Sequence, residues 1–269
     1  MTTTALNERR YRPDDPGSAL AAAARTLRDT FARVPFDPMM PRCLHCVTDA
    51  DVAALGIEPV LQGRAAVSRF VAKAGTTWGG PDDLRRMVPV ILPMLADHAL
   101  TVDRSLVWAK LRWAGWPAWP DDQVAAVHGF LGAEWDRLLR SAPRPAHAAH
   151  RWLAETADAV DDLTPYLDAW HDALGPLEHP AHHEAAVGHL VDLLTNSPLR
   201  PDLPATIIDV FPGHPFAAGQ VTTWLIGPGT VHELRRAAGV LADAPGGRRI
   251  TVADERLRRF VAAVGSRST

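Results

Sequence analysis

The stretch that decides the fold is residues 121–138, DDQVAAVHGFLGAEWDRL. Its apolar side chains recur at steps of three and four residues, which is the spacing of one face of an α-helix. Two aspartates stand at its start, where a helix N-terminus favours negative charge. The stretch therefore predicts a long amphipathic helix that buries one side. The members of that side are Val124, Val127, Leu131, Trp135 and Leu138.

The same periodicity continues through most of the chain, and proline or glycine interrupts it at short intervals. No segment shows the alternating pattern of a half-buried strand, and no Asn-Gly or Asp-Gly hairpin turn occurs. The sequence predicts an all-α protein of ten or eleven helices in antiparallel pairs, as an irregular HEAT-like or orthogonal helical array. One of these helices is expected to run from Trp152 to Leu174, with a bend at Pro165.

The domain organisation is predicted from composition. Residues 1–16 are polar and are expected to form a flexible arm. Residues 17–269 are expected to form a single helical domain, because 47% hydrophobic content suffices for a sizeable core. Five prolines in residues 197–219 mark an extended connector and the place of a sub-division.

Charge and hydropathy exclude several classes of partner. The formal net charge of −3 provides no basic field for nucleic acid. The longest apolar run, residues 87–96, contains two prolines and is too short to span a bilayer. Residues 1–10 are polar, without the apolar core of a secretory signal, and only two cysteines occur. We therefore expect a cytoplasmic protein that binds neither nucleic acid nor membrane.

The Cys43-Leu44-His45-Cys46 motif permits two chemistries. A turn that brings two thiolates to one point chelates zinc, and distant histidines would then complete the site. The same pair is also a dithiol that cycles to a disulfide, but a thioredoxin-like fold needs a strand before it and a helix after it. Without metal, the pair is predicted to fasten its loop as a packed structural knuckle.

A histidine cluster follows at Glu178-His179-Pro180-Ala181-His182-His183-Glu184. It resembles fragments of helical iron sites, so His179, His182 and His183 are candidate metal ligands. A di-iron bundle also needs Glu-x-x-His pairs from other helices, and the cluster has Glu178-x-x-Ala181 instead. The favoured interpretation is histidines at a helix start, with His183 toward the core.

Nine tryptophans are many for this length. Such density is typical of large core side chains, and also of a groove that binds a peptide or a ligand. The sequence has neither the phosphate-binding glycine loop nor the Gly-x-Ser-x-Gly elbow.

Several segments together resemble a family of bacterial all-helical proteins with a Cys-x-His-Cys, Thr-Trp-Gly, Trp-Pro and Trp pattern. The resemblance covers most of the chain and implies one cooperative helical fold, with no activity, cofactor or catalytic residue attached. Its segments are residues 43–46, 77–79 with 82–83, 88–95, 116, 119–120, 130–131 with 135, 163–170, and 220–221 with 224–225.

Two functions are compatible with these patterns. The first is a non-enzymatic protein-interaction module, such as a scaffold or an immunity-type protein, with a protein partner. The second is a metalloprotein in which Cys43 and Cys46, with His45 or other histidines, bind zinc, which thiolates favour over magnesium or calcium. Whether the chain is an enzyme is left open by the sequence.

Overall fold

A computed structural model of the chain describes residues 16–56, 63–144, 148–175, 180–196, 210–241 and 246–265. Within these ranges the fold consists of α-helices and one 3₁₀ turn at Trp116–Ala118. None of the described helices combines the length and the apolar character that a bilayer crossing needs. The helices are α1 (Pro16–Phe31), α2 (Asp49–Gly56), α3 (Arg64–Lys73), α4 (Pro81–Ala96), α5 (Arg104–Trp113), α6 (Asp121–Leu139), α7 (Ala149–Thr156), α8 (Thr164–Leu174), α9 (Pro180–Asn196), α10 (Pro215–Ile226), α11 (Pro228–Val240) and α12 (Gly247–Gly265).

The all-α prediction is confirmed, and the described residues contain twelve α-helices rather than ten or eleven. The additional helix arises where one bent helix is predicted from Trp152 to Leu174. Instead, α7 ends at Thr156, and a separate helix, α8, begins at Thr164. The Asp162 carboxylate accepts a hydrogen bond from Thr164 N–H at 2.9 Å, and Pro165 occupies the first turn of α8. Proline is tolerated there because that position needs no hydrogen-bonded N–H.

The chain divides into two compact units. Unit 1 comprises residues 1–100 and 115–137, and unit 2 comprises residues 101–114 and 138–269. The prediction of one helical domain over residues 17–269, with a sub-division near 197–219, stays a prediction. The predicted arm falls almost wholly outside the described residues.

Each unit has its own core of large side chains. In unit 1, α4 packs against α1 and α3, and α2 packs against α3. In unit 2, α9 packs against α7, α8 and α12, and α12 packs against α10 and α11. Tryptophan is mainly a core residue, because six of the nine are buried: Trp78, Trp108, Trp116, Trp135, Trp152 and Trp170.

Arginine side chains cap the C-termini of several helices. The last carbonyl groups of a helix have no partner within that helix. In four cases a guanidinium from another helix of the same unit donates to them. The pairs are Arg86 with Leu55 (3.1 Å), Arg137 with Ala96 (2.7 Å), Arg236 with Leu174 and Gly175 (3.0 and 3.1 Å), and Arg256 with Leu194 and Thr195 (2.9 and 3.1 Å).

Candidate functional site

The cysteine motif forms a turn in unit 1 that is tied to the connection between α3 and α4. Cys43 N–H donates to Thr77 O at 2.9 Å, and Gly79 N–H donates to Pro41 O at 2.7 Å. Gly79 has a φ of +72°, and a Cβ there would approach an α3 side chain to 2.9 Å. The conformation and the space at this position therefore require glycine.

The turn carries the two cysteines at its two ends. Cys46 N–H and Val47 N–H both donate to Cys43 O at 2.9 Å. Cys43 is exposed, Cys46 is half-buried, and neither is in a disulfide. The pKa of the Cys43 thiol is lowered because His45 N–H and Cys46 N–H donate to its sulfur, and the Lys73 charge adds to this. This loop thus presents a sulfur that favours the thiolate.

Backbone contacts and a buried valine fasten this loop. Cys46 O accepts hydrogen bonds from Arg69 at 2.8 Å and from Lys73 at 3.0 Å. The side chain of Val47 is 1% exposed. The prediction that a packed cysteine pair is the fastener is wrong for Cys43, because its side chain faces solvent.

The histidine cluster lies at the start of α9 in unit 2. His179 is outside the described residues. His183 is buried, as predicted, and this burial is the main cause of its lowered pKa. His182 is half-buried, with Nδ1 at 3.5 Å from Arg140 Nη1.

The thiol pair fits part of a zinc site. Two sulfurs held together by a turn match two of the four positions of tetrahedral zinc. His45 Nδ1 lies 3.8 Å from Cys46 Sγ. Across the ranges given above, no group of three or more His, Cys, Asp or Glu side chains is placed to hold a metal ion. Zinc at Cys43 and Cys46 stays a prediction, as does metal binding by His182 and His183.

A groove of about 520 Å³ lies between α8 and α10 of unit 2. Its apolar wall contains Leu167, Phe216 and Trp224. Phe216 is 68% exposed, whereas Trp224 is half-buried and stacks on Trp170 with 4.8 Å between ring centroids. The groove therefore combines a fixed aromatic surface with an exposed aromatic side chain. Its other lining residues are Thr164, Asp168, Pro215, Gly219, Gln220 and Thr223.

Hydrogen bonds hold the polar edge of this groove. Gln220 Oε1 accepts from Leu163 N–H at 3.1 Å, and Gln220 Nε2 donates to the Asp162 carboxylate and to Thr164 Oγ1. The pKa of Asp162 is lowered, first by the Thr164 hydroxyl and then by Thr164 N–H. A single glutamine therefore links α10 to the start of α8.

One polar atom of the groove residues is unsatisfied. Trp224 Nε1–H is buried and has no hydrogen-bond partner within the described parts of the chain. Buried donors are paired in most native structures, so an unpaired one requires an explanation. Because this N–H is itself inaccessible, a molecule bound in the groove would not reach it without movement of the surrounding side chains.

A second cavity, of about 570 Å³, lies in unit 1 at the start of α4. Asp37, Asp82 and Asp83 are among its lining residues. Burial raises the pKa of Asp83, and the Asp37 and Asp82 charges add to this. The Asp83 carboxylate accepts from Gly80 N–H at 2.8 Å, so closing the N-terminus of α4 accounts for its position.

The groove between α8 and α10 is not among the sites predicted from the sequence. Phe216, Gln220 and Trp224 are four residues apart, which places them on one face of α10. That spacing was a usable signal for a shared surface. The sequence carries no corresponding signal for the wall of the groove that α8 provides, because that wall depends on which helix packs beside α10.

Comparison of the chain with protein-family models, with curated proteins and with solved structures found no match. The resemblance to bacterial all-helical proteins therefore stays a prediction.

Proposed function

We propose that this chain is a non-enzymatic protein-interaction module of the bacterial cytoplasm, and that its partner binds in the groove between α8 and α10. A scaffold or immunity-type role falls within this proposal. The observation that carries it is Phe216, an aromatic side chain that is 68% exposed at a groove of about 520 Å³. Large exposed aromatic groups next to a groove are typical of binding surfaces.

The lining of the groove suits a peptide segment of a partner protein. An apolar side chain of the partner would contact Leu167, Phe216 and Trp224, and the polar edge at Gln220 would contact its backbone. Apolar anchors inside a polar rim are the usual anatomy of protein interfaces.

The test uses Phe216→Asp, with Val240→Asp as the matched control, because Val240 is 64% exposed and lies outside the groove. Tagged parent and variants capture proteins from a bacterial lysate, and each captured protein is then purified and titrated. We expect a partner whose Kd rises at least about 30-fold with Phe216→Asp, equivalent to roughly 2 kcal/mol, and is unchanged with Val240→Asp. If no protein is captured, or if Phe216→Asp binds as the parent does, the groove proposal is overturned.

We further propose zinc binding by the Cys43–Cys46 pair as a second candidate function. It is favoured by two free cysteines at the two ends of one hydrogen-bonded turn, of which Cys43 is exposed. Metal analysis of untagged protein, prepared under reducing conditions, tests it. We expect zinc in the parent and its loss in Cys43→Ser. A content near zero for every transition metal, including after zinc addition, would reject it.

A further inference from the structure

We infer that Cys43 and Cys46 form one half of a zinc site that the same pair in a second copy of this chain completes. This inference rests on the second candidate function, zinc binding by the pair. A two-fold axis through the metal would duplicate the two thiolates and give four. Four thiolates in a tetrahedron are a common structural zinc site.

The turn already has the geometry for chelation. Two sulfurs that are each ~2.3 Å from a tetrahedral zinc lie about 3.8 Å apart. Two backbone hydrogen bonds to Cys43 O, each 2.9 Å long, fix the turn that carries Cys43 at one end and Cys46 at the other. Zinc would replace the two thiol protons.

The surface around the turn suits a second copy. Leu44 and Met39 are 79% and 77% exposed, more than any other large apolar side chain of the described ranges. Cys43 lies between Met39 and Leu44 in the sequence, and it is exposed as well. In a two-fold contact each copy presents the same patch, so both copies would bury both side chains beside the metal. Apolar cover would also keep water from the zinc–sulfur bonds.

The charge near the turn complements such a site. Four thiolates around one Zn²⁺ leave a net charge of about −2, which needs nearby cations. Lys73 and Arg69 both donate to Cys46 O, at 3.0 and 2.8 Å. Arg69 also pairs with Asp51, so Lys73 is the main balancing charge. Two copies bring two such lysines to the shared metal.

The experiment follows mass and zinc content together. Reduced, chelator-treated full-length chain is titrated with zinc chloride, and its mass is measured by size-exclusion chromatography with light scattering. We expect the mass to double and to saturate at one zinc per two chains. A chelator should then return the monomer. Cobalt chloride should give the visible bands of tetrahedral thiolate-bound cobalt at the same ratio.

Three variants separate the steps. Cys43→Ser should remain monomeric at every zinc concentration. Leu44→Asp keeps both thiols and an exposed backbone turn, so it should weaken the zinc-linked dimer at least tenfold while the chain stays folded by circular dichroism. Val240→Asp, a charge at an exposed position of unit 2, should dimerise as the parent does.

The outcomes distinguish the shared site from zinc binding itself. One zinc per monomer, with no change in mass, would overturn the shared site and leave zinc binding intact. No zinc uptake by fully reduced chain would overturn both. A dimer that forms without zinc, or that persists in Cys43→Ser, would also overturn the shared site.

Discussion

At the residue scale, His189 shows how one buried side chain joins three backbone segments of unit 2. It is 0% exposed. Its Nδ1 accepts from Ala149 N–H at 3.3 Å, and its Nε2 donates to Leu138 O and Ser141 O at 3.0 and 2.9 Å. This arrangement uses the neutral imidazole, with one nitrogen as acceptor and the other as donor. Accordingly, burial lowers the pKa of His189.

The free energy of unfolding should fall as the pH is lowered from about 7 to about 5. A histidine in the unfolded chain has a pKa of ~6.5. Burial lowers the folded-state pKa of His189 and of His150, although Asp192 opposes this for both. Between the folded and unfolded values only the unfolded chain binds the proton. The stability is therefore complete above the unfolded pKa and decreases by up to about 1.4 kcal/mol per pH unit for each histidine below it.

Urea unfolding at several pH values measures this slope. His189→Gln should be less stable than the parent at pH 7 and should lose less stability on acidification, because one titrating group is gone. His232→Gln, at an exposed position, controls for the substitution itself and should be about as stable as the parent at pH 7. Equal slopes for His189→Gln and the parent would contradict this account of the buried imidazole.

At the element scale, arginines cap the C-termini of helices, and α8 is an example. α8 ends before Gly175, and Arg236 of α11 donates to the carbonyl oxygens of Leu174 and Gly175. The same guanidinium pairs with Glu233 at 2.7 Å. Its planar fork contacts two carbonyl groups and one carboxylate at once, which the single ammonium of lysine does less well.

Removal of this cap should destabilise the protein measurably. Arg236→Met keeps the apolar stem and removes the donors, so it should cost about 1.5–3 kcal/mol, as loss of charged hydrogen bonds does. Arg236→Lys should fall between Arg236→Met and the parent. Arg259→Met is the matched control, because Arg259 is exposed and, among the described residues, pairs only with Glu255 one turn away. Its effect should be below about 0.5 kcal/mol. Chemical denaturation measures all three, and equal costs for Arg236→Met and Arg259→Met would refute the capping role.

At the scale of the whole molecule, unit 2 depends on contacts between helices far apart in the chain. Its C-terminal helix, α12, packs most extensively on α9 and also against α10 and α11. Phe260 of α12 is fully buried. The core of unit 2 is therefore fully buried only when α12 packs against these helices.

Phe260→Ala should lower the free energy of unfolding by about 3–5 kcal/mol, because it removes buried apolar surface and leaves a cavity. Val252→Ala tests the same helix at a side chain that is 38% exposed, and it should cost less than about 1 kcal/mol. Guanidinium denaturation followed by far-ultraviolet circular dichroism gives both values. If the two variants unfold alike, α12 does not close the core as the structure indicates.

The sequence by itself determined the secondary structure class and many of its bounds. Apolar periodicity, proline and glycine act over a few residues, so they specify a helix without knowledge of its neighbours. The histidine cluster was predicted to lie at a helix start, and α9 begins there, at Pro180. The cysteine pair could also be identified from the sequence, because Cys43 and Cys46 are close enough in the chain to share one turn. The exposure of Cys43 was not visible, since it depends on how the loop attaches to Thr77 and Gly79.

Only the tertiary structure decided which elements meet. The apolar stripe from Trp152 to Leu174 continues across the break at residues 157–163, because both α7 and α8 pack against α9. Apolar periodicity indicates which side chains are buried. The same side chains are buried whether this segment forms one bent helix or two separate helices. The groove exists because Gln220 of α10 reaches the start of α8, 56 residues earlier in the chain. Contacts at such separation depend on the packing of whole helices, which no local pattern specifies.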